Sequence, residues 1–326
     1  MTAPGERLAR GERRAAVVVV LVALAAAPLV LGTYGSAMLA RLLAFALLAA
    51  SADLLVGTTG LPTLGHSAYF GAGAYAAGWV ARHVTPSAPA MLAAAVGVSA
   101  VVAVIAGSVA VRARGVFFLM LTLAIGEIVE QLAHAWHSVT GGSDGLYGIP
   151  ATRLGGLALS DAGAFCWYAL AVFVAGMAVL RAVTRAPLGA ALRGIRDNEP
   201  RMRALGYRTY HYKLAAFVIA GSVAGVAGAL FAGQQRLVTP ADLGFTASAP
   251  VLLAVIIGGE ATAWGPCLGA AIVVALRDVL GPSLGGHGDL VLGAVFVVVV
   301  FAVPGGLARI TGRITGPRDR AAGGPP

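Results

Sequence analysis

Charge is scarce in this sequence. Only 11% of its 326 residues are Asp, Glu, Lys or Arg, against about 25% in a soluble domain, so most of the chain does not face water. Lysine occurs once, as Lys213, and Leu214 follows it. A Gly-Lys-Ser/Thr phosphate loop is therefore excluded, and ATP binding by that route with it. The two cysteines, Cys166 and Cys267, lie in or beside apolar stretches far apart in the chain. They supply neither a disulfide framework nor a metal-ligand spacing. His-Glu-x-x-His is absent, as is a Gly-x-Gly-x-x-Gly opening a strand–helix unit. No catalytic residue, no metal and no cofactor is expected on this chain, which reads as something other than an enzyme.

What is present is apolar sequence. Hydrophobic residues make up 58% of the chain, and its mean hydropathy is +0.84. Several runs approach the ~20 residues that cross a bilayer core as a helix, so the expected fold is an all-α polytopic membrane protein. The net charge of +9 does not point to nucleic acid. The basic residues are not interleaved with aromatics on one polar face; they sit in loops beside apolar runs, as orientation by the positive-inside rule requires.

Residues 1–14 are basic, with Arg7, Arg10, Arg13 and Arg14, and an apolar run follows from Ala15 to Leu31. That pair of features also fits a signal peptide, but a further apolar segment follows at once, which favours a retained span. The second span covers Met38 to Val56. The third, from Gly57 to Val80, is short, and Gly57, Gly60 and Pro62 interrupt its start. Broken segments of this kind mark substrate pathways, because non-helical backbone at membrane depth is tolerated only where it lines a cavity or is buried in protein. Gly57, Gly60 and His66 are pathway candidates on that ground, while the later glycines read as close-packing positions.

A fourth span runs from Ala90 to Val111 and a fifth from Val116 to His134. Glu127 and Glu130, three residues apart, share one face of the fifth. Carboxylates inside a bilayer are costly and usually functional, which adds both to the pathway candidates. An extracytoplasmic loop, 135–164, follows. Its Gly141-x-Ser143-x-Gly145 matches a hydrolase elbow in letters only, since that motif needs a strand-to-helix turn in an α/β sheet. The sixth span is Phe165 to Val183. The seventh, Leu214 to Gly233, carries Gly221-x-x-x-Gly225-x-x-Gly228, a close-packing face. Shorter runs from Thr246 to Ile257, Cys267 to Leu280 and Leu290 to Val303 complete about ten transmembrane or re-entrant segments. The transmembrane body thus covers 15–306, and a basic Gly/Pro-rich tail, 307–326, reads as disordered.

Between the sixth and seventh spans lies a polar, Arg-rich island within 184–213. Pro187 suits a first helical turn. Leu188 to Arg196 follows, Asp197-Asn198 offers a side-chain cap, and a second helix starts near Glu199-Pro200. Gly206 is its stop signal. The residues leave two readings of the island open: a docking surface, or a solvated loop that fixes topology. With both termini, the Arg112–Arg114 turn and the stretch from Arg181 to Lys213 on the cytoplasmic side, eighteen of the 23 basic residues lie inside, which supports that orientation.

Several of these motifs together resemble the branched-chain amino acid ABC transporter permease family, in its LivM-type branch. Leu64-Gly-His-Ser-Ala-Tyr-Phe-Gly-Ala-Gly-Ala-Tyr75 is similar to its early glycine-rich motif. Arg114 to Ala124 and Thr140 to Leu146 resemble its central ones. Leu192-Arg-Gly-Ile-Arg-Asp-Asn-Glu-Pro200 with Ala204-Leu205-Gly206 resembles its cytoplasmic signature, and Gly258-Gly-Glu-Ala-Thr-Ala-Trp-Gly-Pro266 its late loop.

The resemblance implies a bacterial inner-membrane subunit of an ABC importer for branched-chain or related small hydrophobic amino acids. Its partners would be a second permease, two ATPases that carry the ATP, and an extracytoplasmic binding protein. It further implies that the island couples to the ATPases. Pro187, Leu188, Gly189, Leu192, Arg193, Ile195, Arg196, Asp197, Asn198, Glu199, Pro200, Ala204, Leu205 and Gly206 would be the coupling residues. The sequence departs from the family pattern at Arg203, where an acidic residue is more usual, and at Glu260, where a small or apolar one is. Two alternatives stay open: an ion-coupled transporter or channel using Glu127 or Glu130, and urea or short amides as substrate.

Overall fold

The structure is a computed structural model that describes residues 19–298 apart from 21, 263, 281–289, 292 and 296. Residues 22–30 are helical, and Gly32, at φ +65°, separates them from α1 (Gly32–Asp53). Helix α1 runs on as a π-helical turn, Leu54–Thr58. After it the chain leaves helical geometry and re-enters it only at α2 (His66–His83). Helices α3 (Ala88–Ala110), α4 (Val116–Ala135) and the short α5 (His137–Thr140) follow. Next come α6 (Ala162–Arg185), α7 (Pro187–Ala204) and α8 (Thr209–Gln235). The chain then forms α9 (Phe245–Gly258) and α10 (Gly265–Val274), which also ends in a π-helical turn, Ala275–Leu280.

About ten spans were expected; among the described residues, six helices are long and apolar enough to cross a membrane. The shortfall has physical causes. The third segment gives up its first residues to non-helical backbone, and the 18 residues of α2 include His66, Arg82, His83 and three glycines, which keep it from being apolar enough. Helix α10 has ten residues before its helical ladder changes register. Parts of the expected first and last spans, and all of 1–14 and 307–326, fall outside the described residues.

Helices α2, α3 and α8 form one tightly packed trio, while α1 packs on α6, α8 and the α9–α10 hairpin. The trio depends on missing side chains. A Cβ on Gly73 of α2 would collide with the backbone of Gly225 on α8, and one on Gly225 would strike Ser99 of α3. Such contacts let helix backbones approach where lipid supplies no hydrophobic drive for association. By contrast, α3 and α4 present Val101, Ile105, Val109, Phe117, Met120 and Ile128 outward, as surfaces facing acyl chains do.

The expected turn-rich loop holds three short strands, β1 (Leu146–Tyr147), β2 (Arg153–Leu154) and β3 (Leu157–Ala158). β1 pairs antiparallel with β4 (Leu237–Val238), which ties this loop to the end of α8. Asp161 then starts α6 by accepting from the amides of Gly163 and Ala164, at 2.9 and 3.1 Å.

Gly225→Leu places a branched side chain where backbone already sits. Overpacking of this kind costs about 1–3 kcal/mol, so the variant should give a lower yield and a lower melting temperature in detergent. Wild-type values by scanning fluorimetry would mean that this face meets lipid instead.

Candidate functional site: a hinged island clamped to the broken helix

The island folds as two helices that meet at a kink. Asn198, at φ −158° and ψ 93°, leaves helical geometry inside α7. Its Oδ1 accepts from the amide of Arg201 at 3.0 Å, the bond of an N-cap residue to the first turn. Gly206, at φ +88°, ends the second helix, and the amide of Tyr207 reaches back to the carbonyl of Met202 at 3.1 Å. The first helix is fixed to the bundle. Gly189, Leu192 and Ile195 form its buried face, and Arg193 donates to the carbonyl of Thr184 at 2.8 Å, at the end of α6. The second helix projects. Leu205 is 65% exposed and Tyr207 42% exposed at its tip.

Charged residues on each side of the kink anchor it to different parts of the bundle. Before it, Arg196 donates through Nη1 to the carbonyl of Gly57, in the π-helical turn that ends α1. Its Nη2 stands 4.0 Å from Glu260 Oε2 in the loop between α9 and α10. The Arg196 stem also packs on Gly60: a Cβ there, already strained at φ +72°, would lie 2.8 Å from Arg196 Cγ. Asp53, buried at the end of α1, holds the same loop by accepting from the amide of Ala261 at 2.8 Å. Ala261 has φ +58°, a left-handed conformation uncommon for a residue with a side chain, and the Asp53 carboxylate secures it.

After the kink, Glu199 is the hub. It accepts from Lys213 Nζ at 2.8 Å, Arg203 at 2.7 Å and Thr209 Oγ1 at 3.1 Å, with Arg114 at 4.0 Å. Burial pushes the Glu199 carboxyl up, but the hydrogen bond and charge of Lys213, with Arg203 and Thr209, outweigh it and hold it below its ordinary value. A cavity of about 420 Å³ opens at this junction, lined by Thr59–Leu61, Ala113–Gly115, Ile195–Pro200 and Lys213. Arg203 and Glu260 also belong to the network: Arg203 pairs with Glu199, and Glu260 faces Arg196.

The pathway candidates do not meet in one place. Gly57 and Gly60 belong to the clamp just described. His66 lies deeper, fully buried, with its amide donating to Ser248 Oγ at 3.2 Å. Ser51 Oγ gives its own hydrogen to the carbonyl of Leu48 at 2.7 Å, so it accepts from His66 Nε2 at 2.8 Å. Glu127 and Glu130 face the start of α9 from α4: Glu127 accepts from the amide of Phe245 at 3.3 Å. A carboxylate there satisfies a free helix-terminal amide and opposes the positive end of the helix dipole. Glu130 stands 3.8 Å from His134.

Sequence reasoning missed the partners of Asp53, Lys213 and Arg114. A lone lysine opening an apolar run was the one local hint. It gave no sign of a further pair: Arg41 of α1 donates to Asp278 Oδ2 of the α10 extension at 2.9 Å.

Apolar helices of membrane length, with a helical polar outcrop clamped to a broken span, fit a multi-pass membrane protein. The chain belongs to the family described as "Branched-chain amino acid transport system / permease component", which it matches over residues 34–300. Two curated relatives are the high-affinity branched-chain amino acid transport system permease proteins LivM of Salmonella typhimurium and Escherichia coli. Each is 30% identical over 282 residues, an alignment that covers 79% of this chain and 66% of the relative. The chain therefore spans slightly under two thirds of the length of these relatives. No solved structure matches it significantly.

Glu199→Gln leaves the buried Lys213 ammonium without its counter-charge, and breaking a buried pair costs about 3–5 kcal/mol. A carboxyl held below its unfolded value stabilises the fold at neutral pH and loses that contribution as pH falls through the folded value. Melting temperatures of wild type and variant should therefore differ at neutral pH and converge on acidification. Parallel curves would refute this assignment.

Proposed function

We propose that this chain is one of two permease subunits of an ATP-driven importer for branched-chain or related small hydrophobic amino acids. ATP would bind to two partner ATPases, and an extracytoplasmic binding protein would deliver the substrate. The names of the relatives and the family membership support the substrate class. The island end is the cytoplasmic face on this reading, which puts both termini inside a bacterial inner membrane and the β1–β4 loop outside.

One observation carries the coupling role. The island is locked to the bundle through Arg196 and Glu199, yet its tip presents Leu205 and Tyr207 to solvent among basic residues. An apolar tip held by a rigid base is the form needed to seat in a groove of a partner and pass on its movement. The cavity beside the hinge, lined by Arg114, Arg196 and Lys213 together with Asp197 and Glu199, gives room for a polar partner side chain. Glu127 satisfies the start of α9, which favours the importer over the ion-coupled alternative.

Purification from native membranes in mild detergent should bring down two ATPases and a second permease. A solitary protein or homo-oligomer would overturn the importer reading, and a binding protein retaining urea or an amide would revise the substrate. Arg196→Ala removes a charge-assisted bond worth about 1.5–3 kcal/mol. It should lower uptake at least tenfold while the ATPases still co-purify and hydrolyse ATP. Normal uptake in that variant would refute the coupling role.

A further inference from the structure

We infer that Arg41 and Asp278 are the residues that read the substrate's charged ends, Arg41 taking the carboxylate and Asp278 the ammonium. The inference rests on the reading of this chain as an amino-acid permease.

The pair sits at membrane depth. Arg41 lies nine residues beyond Gly32, about 14 Å along α1 at 1.5 Å per residue, and Asp278 lies about 20 Å beyond Gly265 by the same measure. Their side chains are nevertheless 40% and 28% exposed. Charged residues at such depth face protein or a water-filled cavity, and not acyl chains.

The first half of α1 is open. From Gly32 to Phe45 every residue except Ser36, Ala40, Leu43 and Ala44 is at least partly exposed, and Arg41, Leu42 and Phe45 lie at the inner end of that stretch. From Ala46 to Thr59 every residue is buried. The helix is thus open toward the extracytoplasmic end and closed below Phe45. Asp278 lies on the π-helical turn that extends α10, and such turns are frequent at functional sites.

The chemistry matches a zwitterion. While the site is empty the two charges neutralise each other through a 2.9 Å bond. An amino acid inserted between them replaces one ion pair with two and leaves no charge unmatched. Leu42 and Phe45 then offer apolar contact to its side chain. Urea or a neutral amide carries no ionic group and gains nothing from breaking the pair.

The test uses the assembled importer in proteoliposomes with radiolabelled leucine below saturation. Arg41→Gln with Asp278→Asn removes both charges and keeps hydrogen-bonding groups between the helices. It should still assemble with the ATPases, yet import at least tenfold more slowly. Arg41→Asp with Asp278→Arg restores the mutual attraction but reverses the order in which carboxylate and ammonium are met, so it should stay defective. Wild-type import by either double variant overturns the inference and leaves a structural clamp.

A second readout needs no ATP. In right-side-out vesicles, Leu42→Cys should react with a membrane-impermeant thiol reagent, and excess leucine should slow that reaction at least threefold where urea does not. No labelling above the wild-type background, or labelling indifferent to leucine, overturns the inference whatever drives transport. Absence of ATP-dependent uptake by the wild-type assembly counts against the importer reading alone.

Discussion

A backbone that leaves the helical ladder inside a bilayer must find other partners for its amides and carbonyls. The passage from Asp53 to His66 is where this chain meets that constraint, and much of the structure follows from how it does so. The carbonyl of Gly57 takes a hydrogen from Arg196. Thr59 returns its hydroxyl to the carbonyl of Leu54 at 2.8 Å. The amide of Leu64 reaches Thr122 Oγ1 on α4 at 3.3 Å, and that of His66 reaches Ser248 on α9. One broken segment is therefore stitched to α4, α7 and α9. None of these could move far without exposing a polar group to an apolar surrounding.

That stitching explains why a polar island sits between two apolar spans. A solvated loop that only set topology would need positive charge and nothing more. Here Arg196 satisfies an interior carbonyl, Glu199 neutralises the buried Lys213, and Arg193 closes the end of α6. Three consecutive anchoring residues at i, i+3 and i+6 could all be used because they sit on two helices with a kink between the second and the third. An uninterrupted helix would carry residue 199 about 300° round from residue 196 at 100° per residue, not to wherever Lys213 happens to lie.

The legible parts of the fold were those governed by neighbouring residues. The Asn198 cap, the Pro187 start, the Gly206 stop and the Gly221–Gly228 stripe each depend on side chains within a turn or two. The broken start of the third segment was legible for the same reason, since glycine and proline interrupt a helix wherever they fall. What could not be read were contacts between distant residues. Asp53 finds Ala261 across 208 residues, and Arg41 finds Asp278 across 237. Neither Arg41 nor Asp278 carries a local sign of its partner. Fewer spans than expected are found among the described residues because α2 carries His66, Arg82 and His83 within its 18 residues and because parts of the first and last apolar runs lie outside those residues.

The kink at Asn198 has a mechanical consequence. Anchors before it reach α1 and the loop joining α9 to α10; anchors after it reach α8 and the turn between α3 and α4. Those are the two packed groups of the bundle, α1 with the α9–α10 hairpin and α3 with α8. A force applied at Leu205 therefore divides at the kink and acts on both groups, through an arginine on one side and a carboxylate hub on the other. Glu260 and Arg203 fall one on each side of this division. Each carries a charge opposite in sign to the anchor it faces, so both connections are ion-paired.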